Sequence, residues 1–176
     1  MIEALARLLR PLLYAPYALR VRRNHALEHA TIHMLNRQRY RLSGISSGTG
    51  FLIYGDVPTD KLERASHDAL LRLKRGEKHL AIHPNCGTNL VVVGLLMAGI
   101  GALGFVGTDR KSFASRFPFV MLATMVASLY ALPIGLSVQK HITTEGEMGE
   151  LGVVRVLRRE LSVGGRRMIV HEVMTL

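Results

Sequence analysis

The chain has 176 residues, with 23 Lys and Arg against 13 Asp and Glu and a formal net charge of +10. A hydrophobic share of 48%, with 20% charged residues and a mean hydropathy of +0.20, points to very apolar stretches set beside very basic ones. The single cysteine, Cys86, excludes an intrachain disulfide, and so large a positive surplus favours a polyanionic partner, either a nucleic acid or an anionic membrane face.

In chain order, residues 1–23 carry Ile2, Leu5, Leu8 and Leu9 at helical spacing, with Arg7 and Arg10 elsewhere on the wheel. Pro11 and Pro16 interrupt the helical pattern beyond Arg10, and Arg20-Val21-Arg22-Arg23 closes the segment. This is the pattern of an interfacial amphipathic helix, with leucines in the acyl boundary and arginines among headgroups. Arg7, Arg10 and Pro11 leave no clean apolar run, so the N-terminus does not read as a cleaved signal peptide.

Residues 24–37 form a predicted helix that carries His25, Glu28, His29 and His33. Imidazoles four residues apart share one helix face and can reach one metal ion. The order His-x-x-Glu-His resembles the motif of inverted zinc peptidases, in which the Glu works on the metal's water. Histidines and a glutamate on a solvated helix face would give the same letters. His25, His29 and His33 span about 12 Å along a helix, too far for all three to bind one ion. His33 is then a supporting group, part of another site, or exposed.

Leu42 to Gly50 reads as a Gly/Ser loop without the lysine of a phosphate-binding loop. Phe51–Tyr54 is a predicted strand, able to hold a peptide by edge pairing. Pro58-Thr59-Asp60 starts a helix that runs to about Arg75 and stops at Gly76. His79–His83 is a predicted strand. His67 and His79 are expected at the surface, and His171 at the surface or partly buried.

Residues 84–108 and 117–139 contain no charged side chain. Each stretch is long enough to cross about 30 Å of hydrocarbon. The segment Asp109 to Arg116 reads as a basic turn, and Gly94, Gly99, Gly101 and Gly104 would let two helices pack closely. A polar, acidic segment runs from Lys140 to Glu150. Val153–Leu161 and Arg167–Leu176 read as a β-hairpin joined at Ser162–Gly165.

The fold expected is α+β with a transmembrane α-helical hairpin, an N-terminal amphipathic helix and a C-terminal β-hairpin. Its parts are residues 1–23, an interfacial helix; 24–88, an α+β unit; 89–139, the membrane hairpin; and 140–176, an acidic loop and β-hairpin packed on the 24–88 unit. Most Lys and Arg residues lie outside the turn between the spans, which together with the lone cysteine places both termini in the cytoplasm. The basic faces lack the interleaved aromatic residues that single-strand nucleic-acid binding needs, so the partner expected is a lipid bilayer.

A catalytic zinc takes three protein ligands and leaves a position for water. His25 and His29 supply two, with Glu28 as the catalytic base. His83, at the end of a strand beside the turn His83-Pro-Asn-Cys-Gly-Thr-Asn89, is the first candidate for the third. His33, Cys86, Glu145, Glu147 and Glu150 are the alternatives, the glutamates because inverted zinc peptidases take their third ligand well downstream. The Pro-Asn and Cys-Gly pairs also make an ordinary turn, with Thr88 or Asn89 capping the next helix.

The stretches Asn24–His33, Gly50–Asp56, His83–Asn89 and Thr143-Thr144 together resemble a family of small bacterial membrane proteins classed as a domain of unknown function. The resemblance spans residues 24 to about 150 and implies a membrane protein, with no activity attached; the location expected is the bacterial cytoplasmic membrane, crossed more than once. The leading expectation is a membrane-bound zinc metallopeptidase acting on a peptide or membrane-protein substrate. Its rivals are a non-enzymatic adaptor or assembly factor, with a structural metal or none, and a redox or metal-handling protein that uses Cys86.

Overall fold

Prolines set where the first helices break. In the computed structural model, which describes residues 1–163 and 165–176, helix α1 covers Ile2–Leu8 and α2 covers Arg10–Leu13 with Pro11 in its first turn. Helix α3 starts on Pro16, whose fixed φ suits a first helical residue, and runs unbroken to Asn36. The boundary expected at Arg23 therefore falls at Ala15, and the arginine cluster rides on the same helix as the histidines. Arg39 takes a left-handed conformation (φ 68°), and the Tyr40 N–H closes the helix end on the Leu35 carbonyl.

The chain divides into two units, residues 1–83 with 140–176, and residues 84–139. The first contains a four-stranded antiparallel sheet of order β1-β2-β4-β3, formed by β1 (Ser43–Ser47), β2 (Gly50–Tyr54), β3 (Val153–Val163) and β4 (Arg166–Thr175). The stretch expected as a Gly/Ser loop thus contains a strand. Ser-Gly-Ile-Ser-Ser has little β preference of its own, and pairing with β2, from Ser43↔Tyr54 to Ser47↔Gly50, imposes the extended form. Between β1 and β4, β2 has no open edge, which removes it as a strand for peptide pairing. Gly50 (φ 144°) lies so close to the Val173 carbonyl that a side chain there would collide with β4. The joining turn expected at Ser162–Gly165 includes Gly164, which lies outside the described residues.

Phe51, Ile53 and Val173 are buried on one face of the sheet, against Leu27, Ala30 and Leu35 of α3 and Leu62, Ala69 and Leu73 of α4 (Thr59–Lys74). Gly76 (φ 94°) ends α4, as its sequence implies. The strand expected at His79–His83 is instead a 3-10 turn, Lys78–Ala81. The consecutive residues Leu80 and Ala81 both enter the core, which a strand's alternation would forbid. His171 pairs with Ile53 and is 0% exposed, not at the surface, because that register turns it into the core. Its Nε2 lies 3.4 Å from the Thr59 hydroxyl, and its Nδ1 has no hydrogen-bond partner among the described residues. Burial, with Arg158 nearby, holds this imidazole below its ordinary pKa, hence neutral.

The second unit is a pair of helices, α5 (Gly87–Gly104) and α6 (Arg110–Val138), both long and apolar enough to cross a membrane. Leu90, Leu95, Leu103, Phe119 and Leu129 are each at least 70% exposed. The basic turn expected at Asp109–Arg116 is mostly helix. Asp109 caps α6 by accepting from the Ser112 N–H at 2.8 Å, and Arg116, now helical, reaches back to the Val106 carbonyl at 3.2 Å. Of the four glycines expected to allow close packing, Gly104 alone meets the partner helix, at Val120. Gly94, Gly99 and Gly101 face open space, and Gly135 of α6 lies against Asn89. The Asn89 amide oxygen accepts from Gln139 at 2.8 Å, a buried polar link between the helices.

Candidate metal centre

Three of the four α3 candidates sit where the helix is most enclosed. His29 and Glu28 are 2% and 4% exposed, and His25 is half-buried. The His25 and His29 rings meet edge to face with centroids 4.4 Å apart. His25 Nδ1 lies 3.0 Å from the Thr143 carbonyl, and His29 Nδ1 lies 2.8 Å from the Ala81 carbonyl. A carbonyl oxygen only accepts, so each Nδ1 carries a proton, and in the neutral ring Nε2 is the atom with the lone pair. Metal-binding histidines are commonly oriented by such a bond from the second nitrogen. The 3-10 turn that the sequence reads as a strand supplies one of these carbonyls. His33 is held through its other nitrogen, with Nε2 donating to the Ile82 carbonyl, just past that turn, at 2.9 Å.

Glu28 faces β1. Its carboxylate accepts from the Ser46 hydroxyl, and a Cβ on Gly44 would lie 2.5 Å from its Oε1. The Gly/Ser stretch therefore leaves room for the carboxylate at one residue and binds it at another, two roles invisible while the stretch reads as a loop. Burial holds the Glu28 carboxyl above the usual carboxylate range; the Ser46 hydroxyl and the nearby His25 oppose that shift. The carboxylate is a stronger base than an exposed Glu for that reason.

His83 packs nearer to His33 (4.7 Å between centroids) than to His29 (5.7 Å), and its Nε2 lies 3.5 Å from the Asn36 amide. Burial, with His33 and His29 beside it, pushes this imidazole down to about 4, so it is neutral at neutral pH. His25 and His29 bring ligand nitrogens within 4.8 Å of each other, a donor pair that could hold a metal ion. Cys86 caps α5, its sulfur accepting from the Thr88 N–H at 3.4 Å, the role expected of Thr88 or Asn89.

The downstream glutamates have other engagements. Glu145 accepts from Arg22 Nη2 at 3.4 Å and from the Tyr14 hydroxyl at 3.2 Å. Glu147 pairs with Lys78, which holds its carboxyl below the ordinary range, and Glu150 is exposed. The sequence carries no hint that Arg22 is buried; its guanidinium also donates to the Leu13 and Thr144 carbonyls.

A carbonyl-oriented histidine pair on an α+β unit, with two apolar helices in the same chain, defines the class of protein. The chain belongs to a family described as a domain of unknown function (DUF6391), whose model matches residues 20–156. An uncharacterised protein of the cyanobacterium Picosynechococcus sp. is 38% identical over 137 residues, 70% of this chain. The matched region covers 65% of that relative's length. No solved structure matches the chain. The match begins at Arg20, so it takes in the histidine helix and both apolar helices and leaves out α1 and α2.

Proposed function

We propose that this protein is a membrane-bound, metal-dependent hydrolase of peptide bonds, with α5 and α6 as a transmembrane hairpin and the metal on α3. His25 and His29 would hold a zinc ion through Nε2, with His83 or Cys86 as the third donor; imidazole and thiolate are donors that zinc takes. The bound zinc would supply Lewis acidity at the scissile carbonyl. Glu28 takes a proton from the attacking water as the water oxygen bonds to the carbonyl carbon, and passes that proton to the amine nitrogen as the C–N bond breaks. The observation that carries this reading is the pair of carbonyls holding both Nδ1–H groups beside a buried glutamate of raised basicity. The protein sits in the bacterial cytoplasmic membrane with both termini in the cytoplasm, on the bulk of its positive charge, and its substrate is a peptide or membrane protein.

One observation favours a second reading, an adaptor with a structural metal: Glu28 is only 4% exposed and already bonded to Ser46. Metal analysis of untagged protein in detergent separates the two when combined with hydrolysis of fluorescein-labelled casein. The hydrolase reading expects about one zinc per chain, lost in His25→Ala/His29→Ala. Glu28→Gln should keep the zinc and lose about 100-fold or more in hydrolysis. Retained zinc with casein cleavage unchanged by Glu28→Gln would leave the adaptor. Absence of metal from a well-folded, never-chelated sample would remove the hydrolase and leave an adaptor that needs no metal. Cys86→Ser and His83→Ala show which residue is the third donor.

A further inference from the structure

The first 14 residues are folded, yet none of them is buried. Helices α1 and α2 contribute nothing to the core. Leu5 and Leu8, three apart on one face of α1, are 47% and 77% exposed, Leu12 of α2 is 65% exposed, and Tyr14 and Tyr17 are 50% and 73% exposed. A helix that ordinarily served the core would turn such residues inward. Arg7 and Arg10 alternate with these leucines, and the Arg10 guanidinium lies 5.6 Å over the Tyr14 ring. Glu3, the segment's one acid, is spent on Arg7 at 2.8 Å.

We infer that α1 and α2 lie in the headgroup region of an anionic phospholipid bilayer. The occupant is identified by three chemistries found in one segment. Leucines on one face want hydrocarbon, arginines want phosphate, and tyrosines concentrate where the two meet. The leucine face enters the acyl boundary by about 5–10 Å, and the arginines stay at phosphate depth. Helix α3 starts two residues after Tyr14, at Pro16. His25 comes nine residues later, about 14 Å along the helix axis, so the histidine pair is held close to the lipid boundary. This rests on the membrane reading of α5 and α6 only in that those helices keep the segment near a bilayer.

The chain contains no Trp, so Leu8→Trp creates a single fluorescent probe at an exposed position. Leu122→Trp, on the exposed face of α6, serves as the control for the membrane hairpin. Both full-length variants are placed in nanodiscs of phosphatidylcholine, with and without phosphatidylglycerol, and challenged with brominated lipids. The expected result is blue-shifted Leu8→Trp emission, quenched at a shallower depth than Leu122→Trp. Its quenching should strengthen with phosphatidylglycerol and weaken with Arg7→Gln/Arg10→Gln. Solvent-like, unquenched Leu8→Trp emission beside a quenched Leu122→Trp overturns the inference and leaves the membrane hairpin standing. Blue-shifted emission without quenching, in a dimeric sample, would assign the face to a second copy and also overturn it. Quenching indifferent to lipid charge overturns the anionic requirement. If neither probe is quenched, the inference and the membrane reading fall together.

Discussion

Glu28 is held by the strand opposite it, and that makes its environment testable. The space its carboxylate fills exists because residue 44 has no side chain, and a methyl there would lie 2.5 Å from Oε1. Gly44→Ala should therefore cost about 1–3 kcal/mol, the usual penalty for overfilling a packed site. Removing the carboxylate as well should relieve that cost, so Gly44→Ala should be milder by about 1 kcal/mol or more in a Glu28→Ala background. Thermal unfolding of the four proteins in one detergent measures the coupling. Equal costs in both backgrounds would mean that Gly44 is glycine for some other reason. The histidine pair is legible in the sequence because spacing along one helix is local information. The place of Glu145 is not, since it answers to Arg22, across 123 residues, and no spacing rule reaches that far. Spacing is equally silent on the neighbours of His83, which are set by where the 3-10 turn leaves it, beside His33.

At the scale of elements, legibility tracks how much of each one is determined locally. Helix α4 carries its own start and stop, Pro58 and Gly76, and its apolar stripe fixes the face that is buried. Strand β1 carries neither, being a strand because β2 lies beside it. The helical hairpin shows the same limit. Its glycines are visible in the sequence, but their orientation depends on how α5 and α6 meet. Gly104 and Gly135 are the two at the helix–helix contact, against Val120 and Asn89. Gly104→Ala and Gly135→Ala should each lower the hairpin's stability by about 1–3 kcal/mol, and Gly135→Ala should also disturb the Asn89–Gln139 bond. Gly99→Ala and Gly101→Ala face open space and should be neutral or slightly stabilising, because alanine favours helix by up to about 1 kcal/mol. Unfolding in mixed detergent, monitored by circular dichroism, ranks the four. Equal effects at all four positions would show that the helices meet through a different face.

For the whole molecule, the question is which residues the core needs. The buried apolar cluster draws on α3, α4, the sheet, the 3-10 turn and the loop residues Met148 and Leu151, and includes no residue between 84 and 139. Among the described residues, α5 and α6 add only Ala131 to the buried apolar side chains beyond their chain entry at Cys86. Hydrophobic burial is the main favourable term in folding, so the first unit should fold without the second. A chain in which a flexible Gly/Ser linker replaces residues 84–139 should unfold cooperatively and give a dispersed amide spectrum. A molten, aggregating product would show that the hairpin is needed to close the core. The same protein weighs the third donor, because it retains His25, His29, His33 and His83 and lacks Cys86. Zinc binding that survives the excision makes a centre of histidines alone sufficient. A folded unit that has lost zinc makes the thiolate necessary, a donor that the excised segment carries.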